Sequence, residues 1–428
     1  MLLLPTDVYT GAGVAIVLLT VLALMILPER FGMNAFSAKR FHPIFGQNLA
    51  TILSLFCLAV TVFMVWIGLS GPRDPLANLM PLGLWTLGWI GLVSLSGVIG
   101  NIWAWVNPWN GLYAVLGRPK PLIQIPNWVG HWPAILLLIA FSGFLLADVA
   151  PDDPARLSRF VAIYWVVTLA GLIVCGPAWL GRAELGHAIF AAYGGLAALS
   201  LRQGGVGVPG WQLLERKASL SGAVFAITLL ATGSFDGINE TFWWLAQIDV
   251  NPLEFPGRSA VVTPTLIGLL IAVFGLLLCF GITVWLGVWL ARDMTQFRPA
   301  FTSFALSLLP IAFVYHVAHY LPSFLVSVQY GVAAISDPLA QGDDFLGIQP
   351  FYVTTGFFNV METVRVIWLT QAGLVVLGHV GSVILAHRLA VNIFPEGRRA
   401  LFATLPLSGF MIAYTFLGLW LLAAPRGL

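Results

Sequence analysis

The chain has 428 residues, of which 59% are hydrophobic and only 9% charged, with a formal net charge of +2. A soluble globular domain carries roughly a quarter of its residues as charges, so this composition excludes one and identifies a polytopic membrane protein. The lysines are Lys39, Lys120 and Lys217, with no basic stripe to track a phosphate backbone, and nucleic acid is excluded as a partner.

The first apolar run, 11–27, follows a terminus without the basic region of a secretory signal and has no small-residue cleavage site after it, so it reads as a retained span. Further runs cover 48–70, 79–106, 132–149, 160–180, 219–234, 263–290, 301–321, 364–389 and 401–422. Each is about as long as a hydrocarbon core of ~30 Å requires. The segment 186–201 is a weaker eleventh candidate, short and rich in Gly and Ala, and 345–360 reads as re-entrant or interfacial. Without a fixed-period repeat or a long linker, the chain reads as one all-α domain, residues 1–428, a transmembrane helix bundle of about ten to twelve spans. Tryptophans at the ends of the runs, Trp66, Trp103, Trp105, Trp109, Trp132 and Trp179 among them, fit interfacial belts.

Lys and Arg gather on the cytoplasmic side of membrane proteins. The basic connections hold Arg30, Lys39 and Arg40; Arg118 and Lys120; Arg202, Arg216 and Lys217; Arg292 and Arg298; and Arg398 and Arg399. All five share one side if ten runs cross fully and 186–201 enters only part way. The termini and the acid-bearing connections 236–254 and 337–344 then face the periplasm. Cys57, Cys175 and Cys279 are far apart in sequence with no CxxC spacing, and read as small buried hydrophobes.

Chemistry concentrates in the histidines. His316 and His319 lie in the run 301–321, and three helical residues are a rotation of about 300°, so both project from nearly one face. Pro310, six residues before His316, removes a hydrogen bond to Leu306 and predicts a bend ahead of the pair. His379 and His387 lie on a later run, eight residues apart and too far to share an ion. His379 is at a depth from which it converges with His316 and His319 if the helices touch. Ionisable groups at membrane depth read as functional by default, which makes His316, His319 and His379 candidate ligands of a transition metal. The bland alternative keeps His316 and His319 neutral and bonded to carbonyls or Tyr hydroxyls of neighbouring helices. Asp236 and Glu240, in Ser234-Phe235-Asp236-Gly237-Ile238-Asn239-Glu240-Thr241, share a helical face if the helix continues, and are the candidate catalytic carboxylates or bridging ligands. Against them, Asp-Gly is a common turn dipeptide. The sequence contains no Gly-rich phosphate loop, GxSxG elbow or HExxH motif.

Gly71-Pro72-Arg73-Asp74-Pro75, Asn107-Pro108-Trp109, Ser234-Phe235-Asp236-Gly237, Tyr315-His316-Val317-Ala318-His319-Tyr320, Gly378-His379 and Ala386-His387 together resemble bacterial membrane proteins known as fenitrothion hydrolases. The resemblance extends over most of the chain. It implies an organophosphorus triester hydrolase in the bacterial inner membrane, acting on a small apolar substrate, and carries no catalytic assignment. A metal that polarises a phosphoryl oxygen would suit that chemistry. Two other readings stay open on the residues alone. One is a redox subunit handling quinone or haem, with His316 or His319 opposite His379 as axial ligands, working with other membrane subunits in the lipid bilayer. The other is a transporter or metal-permeation protein in which the same side chains are transient ligands.

Overall fold

Ten helices long and apolar enough to cross a membrane are present in the computed structural model, which describes residues 6–26, 36–42, 46–201, 204–251 and 257–425. Of the positions covered above, 27, Arg30, Arg202 and 252–254 lie outside those described. The spans are α1 (Thr6–Ile26), α2 (Asn48–Ser70), α3 (Leu79–Ile99), α4 (Asn127–Ala147), α5 (Pro154–Cys175), α6 (Leu220–Asn239), α7 (Arg258–Leu290), α8 (Met294–Ser336), α9 (Met361–Ile393) and α10 (Gly397–Ala423). Their count and order agree with the hydropathy reading. The boundaries move where local chemistry sets them. Asp153 caps α5 through the Arg156 N–H and starts it earlier than expected, and Gly100, at φ +106°, stops α3 before the tryptophan-rich turn.

Lipid is the solvent the outer faces require. Along α7, Ile267, Ile271, Phe274, Leu278, Ile282, Trp285 and Trp289 are exposed at three- and four-residue spacing, an apolar stripe with no polar cover. The core lies elsewhere: 78% of the apolar stretch of α6 is buried inside the protein, against 17% for α1 and α2. Around α6 stand α4, α7, α8 and α10, with α9 packed on α8 and α10, and α1 covering α9 and α10. Small residues set the closest approaches, as expected where apolar surface alone does not drive helices together. A Cβ at Gly287 would lie 2.1 Å from the Ala403 carbonyl oxygen, so α7 and α10 touch backbone to backbone. The cysteines are free; Cys57 and Cys175 are half-buried and Cys279 is exposed on α7, a departure from the expectation of burial.

The segment after α5 does not cross. Its helix, Leu185–Gly194, has ten residues and a rise of about 15 Å, half a bilayer core. Glu184 fixes its start. The buried carboxylate accepts from the Gly186 and His187 N–H groups at 2.7 and 2.5 Å, from Trp103 Nε1 at 2.8 Å and from the Tyr164 hydroxyl at 2.8 Å. Three two-residue strands, β1 (Lys39–Arg40), β2 (Leu199–Ser200) and β3 (Gly205–Val206), form a small antiparallel sheet in the order β1-β3-β2. It ties the connection after α1 to this hairpin. Arg40 reinforces the tie with Nη2 at 2.6 and 2.7 Å from the two Glu215 carboxylate oxygens.

Two prolines shape α8. Before Pro310 the helix breaks outright rather than bending: Phe297–Leu306 ends, Ser307 and Leu308 form a turn, and Leu309–Ser336 begins anew. Pro310 thus occupies a first-turn position where its missing N–H leaves nothing unpaired. Pro322, one residue past the expected end of this span at 321, lies inside the continuing helix. Its ring frees the Ala318 carbonyl four residues back. Gln371 of α9 donates Nε2 to that oxygen at 2.7 Å, the kind of re-satisfaction by a neighbour that lets proline persist in a span. Gln371→Leu is expected to cost about 1 kcal/mol in thermal unfolding of the detergent-solubilised protein. In a Pro322→Ala background, where the restored N–H takes the Ala318 carbonyl, the same substitution should cost close to nothing.

Candidate metal and carboxylate site

The helix α6 runs through the Asp-Gly pair to Asn239, with Glu240 as its helical C-cap residue. Asp236 and Glu240 therefore share a face, and the turn reading of Asp-Gly fails. The glycine serves a contact instead. A Cβ at Gly237 would lie 1.8 Å from the Tyr315 hydroxyl oxygen, so its absence is what lets α8 lay that tyrosine against α6.

From α8, His319 and Tyr320 both reach Asp236. His319 Nε2 stands 3.3 Å from Asp236 Oδ2, and the Tyr320 hydroxyl donates a short hydrogen bond to the same oxygen. Asp236, Glu240 and His319 each offer a ligand atom, and these atoms lie within 4.8 Å of one another; Asp236 and His319 are buried and Glu240 is half-buried. Two N or O ligands around a tetrahedral ion with bonds of ~2.1 Å stand roughly 3.4 Å apart. The Asp236–His319 pair already has that spacing, and Glu240 offers its ligand atom within 4.8 Å of both. One imidazole and two carboxylates are donors that could hold a metal ion.

Aromatic rings fix the imidazoles. Tyr315 stacks on His319 with centroids 5.6 Å apart and planes at 13°, and Tyr320 meets the same ring edge-on at 4.8 Å. Trp89 of α3 stands perpendicular to His316 at 4.8 Å. A narrow cavity runs among them, walled by Trp89, Leu145, Leu146, Tyr193, Leu229 and Ala312, with Asp236, His316 and His319 also on its lining. It has room for about two waters.

His316 is engaged elsewhere. Within α3 the residues Leu82–Leu92 form a π-helix, and its last bond runs from the Val93 N–H to the Gly88 carbonyl. Where the hydrogen-bond register returns to α, the carbonyl skipped between the two ladders is that of Trp89. His316 Nε2 donates to it at 3.0 Å. The 60° between residues three apart is enough to aim His316 at α3 and His319 at α6.

His379 lines a second cavity, with Ser234, Val375, Tyr414 and Gly418, which shares only Tyr315 with the first. Its Nδ1 donates to the Val375 carbonyl at 2.8 Å, leaving a bare Nε2, buried and without a hydrogen-bond partner. Opposite, Ser234 Oγ and the Tyr414 hydroxyl are 2.5 Å apart. The structure thus brings together Asp236, Glu240 and His319, and leaves His316 on a carbonyl and His379 behind Tyr315. An iron held between His379 and His316 or His319 has no shared space to occupy, so the haem reading has no support here.

Sequence reasoning did not assign Trp89, Tyr320 or Gln371 their roles. Tyr320 carried a signal, being adjacent to His319 in an apolar run; a backbone carbonyl exposed by a π turn carries none. No family model, curated protein or solved structure matches this chain. Gly237→Ala must push Tyr315 away from α6 and is expected to destabilise the protein by about 1–3 kcal/mol in thermal unfolding. Adding Tyr315→Phe, which removes the crowded oxygen, should recover much of that loss.

Proposed function

We propose that the protein is a membrane-embedded metal-dependent hydrolase whose metal is held by Asp236, Glu240 and His319. The convergence of those three groups beside an apolar-walled cavity carries this reading. A divalent ion there would polarise an ester oxygen and ease deprotonation of water. The remaining roles belong to the chain itself. Tyr320 holds the Asp236 carboxylate in one orientation, and Tyr315 holds the His319 ring. Glu240, half-buried at the end of α6, is the carboxylate with access to exchange a proton and takes the part of general base. Apolar walls around the site favour a neutral, greasy ester over a charged one, and the resemblance to fenitrothion hydrolases supports a phosphotriester. Trp89 and Tyr193 must part to admit it, because the cavity at rest has room only for water.

Elemental analysis of purified protein is expected to find about one divalent transition metal per chain. His319→Ala and Asp236→Asn should lose it, whereas His316→Ala and His379→Ala should keep it. Metal absent from the wild type, or lost equally in His379→Ala, overturns the assignment. Glu240→Gln retains an amide oxygen as a ligand but cannot accept a proton. Its turnover of a neutral phosphotriester in detergent should fall by about 10²-fold or more, and a chelator should abolish turnover in the wild type. Metal flux into liposomes without any turnover would replace the hydrolase with a permeation protein.

A further inference from the structure

A third cavity, of different character, lies at the opposite end of α6. Its lining includes His131, His187, Arg216, Lys217, Ser219 and Gly222, and none of its lining residues is acidic. It has room for roughly six waters, or for one phosphate group. All of its basic residues come from the end of the bundle to which the Lys- and Arg-bearing connections belong.

The carboxylates nearby in sequence are already committed. Glu215, beside Arg216, is bound to Arg40, and Glu184 is saturated by four donors. Arg182 is turned away to the Ile125 and Pro126 carbonyls and to Asn127. Arg216 and Lys217 remain exposed at the mouth; Arg216 makes one long contact, 3.4 Å from the Ala191 carbonyl oxygen. Inside, His131 is pinned over the first turn of α6, its backbone N–H donating to Ser221 Oγ at 2.9 Å. Its Nδ1 is buried without a hydrogen-bond partner, and a Cβ at Gly222 would stand 4.0 Å from it. The N-terminus of this twenty-residue helix, capped by Ser219, adds its positive dipole end to the same space.

We propose that this cavity binds a phosphate group, held by Arg216 and Lys217 at the mouth and by His131 and the first turn of α6 within. Such a group comes either from the headgroup of an anionic phospholipid or from a free phosphate. The cavity lies beside the start of the spanning helix α6, and the end of a span is where a bilayer carries its headgroups, so both sources can reach it. This site is separate from the metal site and stands or falls without it.

The test uses the full chain purified without phosphate. Thermal unfolding is followed in detergent against inorganic phosphate, and in nanodiscs of phosphatidylcholine with or without phosphatidylglycerol. Stabilisation by phosphate identifies the free anion, and stabilisation by phosphatidylglycerol alone identifies the lipid. In either arm Arg216→Gln and Lys217→Gln should each weaken the apparent affinity about tenfold, with Arg216→Lys recovering part of the loss. Both side chains are exposed, so these variants should melt like the wild type without ligand, and their metal content should be unchanged. Stabilisation by neither ligand, or equal stabilisation of wild type and both glutamine variants, overturns the proposal.

Discussion

A carboxylate buried between helices is cut off from bulk water and needs donors from the protein, and the arrangement of this protein around Asp236 follows from that need. Burying a charge without partners costs many kcal/mol, so Asp236 on the most buried helix requires donors from a neighbour. The neighbour is α8, which supplies the Tyr320 hydroxyl and the His319 imidazole to one oxygen. To bring them close enough α6 must give up a side chain, and it does so at Gly237. What gathers Glu240 into the group is only the helical repeat, four residues on. The candidate metal site is thus the result of a solvation problem solved by two helices at close approach.

The same rule governs the backbone. Pro322 frees a carbonyl and Gln371 takes it up; a π turn frees another and His316 takes it up. Each repair crosses from one helix to the next, so polar side chains that interrupt apolar runs are the bolts between α8 and its neighbours α3, α6 and α9. Their polarity serves packing specificity at some positions and chemistry at others. The difference lies in whether the partner is a carbonyl, which fully occupies an imidazole N–H, or a carboxylate, which keeps room for a cation.

Hydropathy made the ten spans and the half-crossing hairpin legible, because length and apolarity are all that a bilayer demands of a span. The span around Pro322 runs on past its expected end at 321, because a side chain of another helix takes up the carbonyl that the proline frees. The carboxylate pair on α6 was legible from the i, i+4 spacing, although the Asp-Gly dipeptide also spelled a turn. The way the histidines divide among neighbours was not legible. His316 and His319 share a face to within 60°, which is close on a helical wheel and far in a packed bundle, where that angle separates two neighbours. His379 has a suitable depth but lies across Tyr315, and depth along a helix contains no information about what stands between two helices. His316 on the Trp89 carbonyl is the neighbouring-helix alternative that the residues alone had left open, whereas His379 bonds a carbonyl of its own helix, that of Val375.

The π stretch in α3 has a consequence for descent. The wider turn exposes the oxygen at Trp89 and the imidazole of His316 covers it, so each of the two features depends on the other. An ancestor whose third span kept an unbroken α ladder would have had no acceptor at that spot, and a histidine facing it would have been a burden rather than a brace. Length variation in one helix and residue identity in another should therefore change together, and a shortened third span should be accompanied by an apolar residue in place of His316.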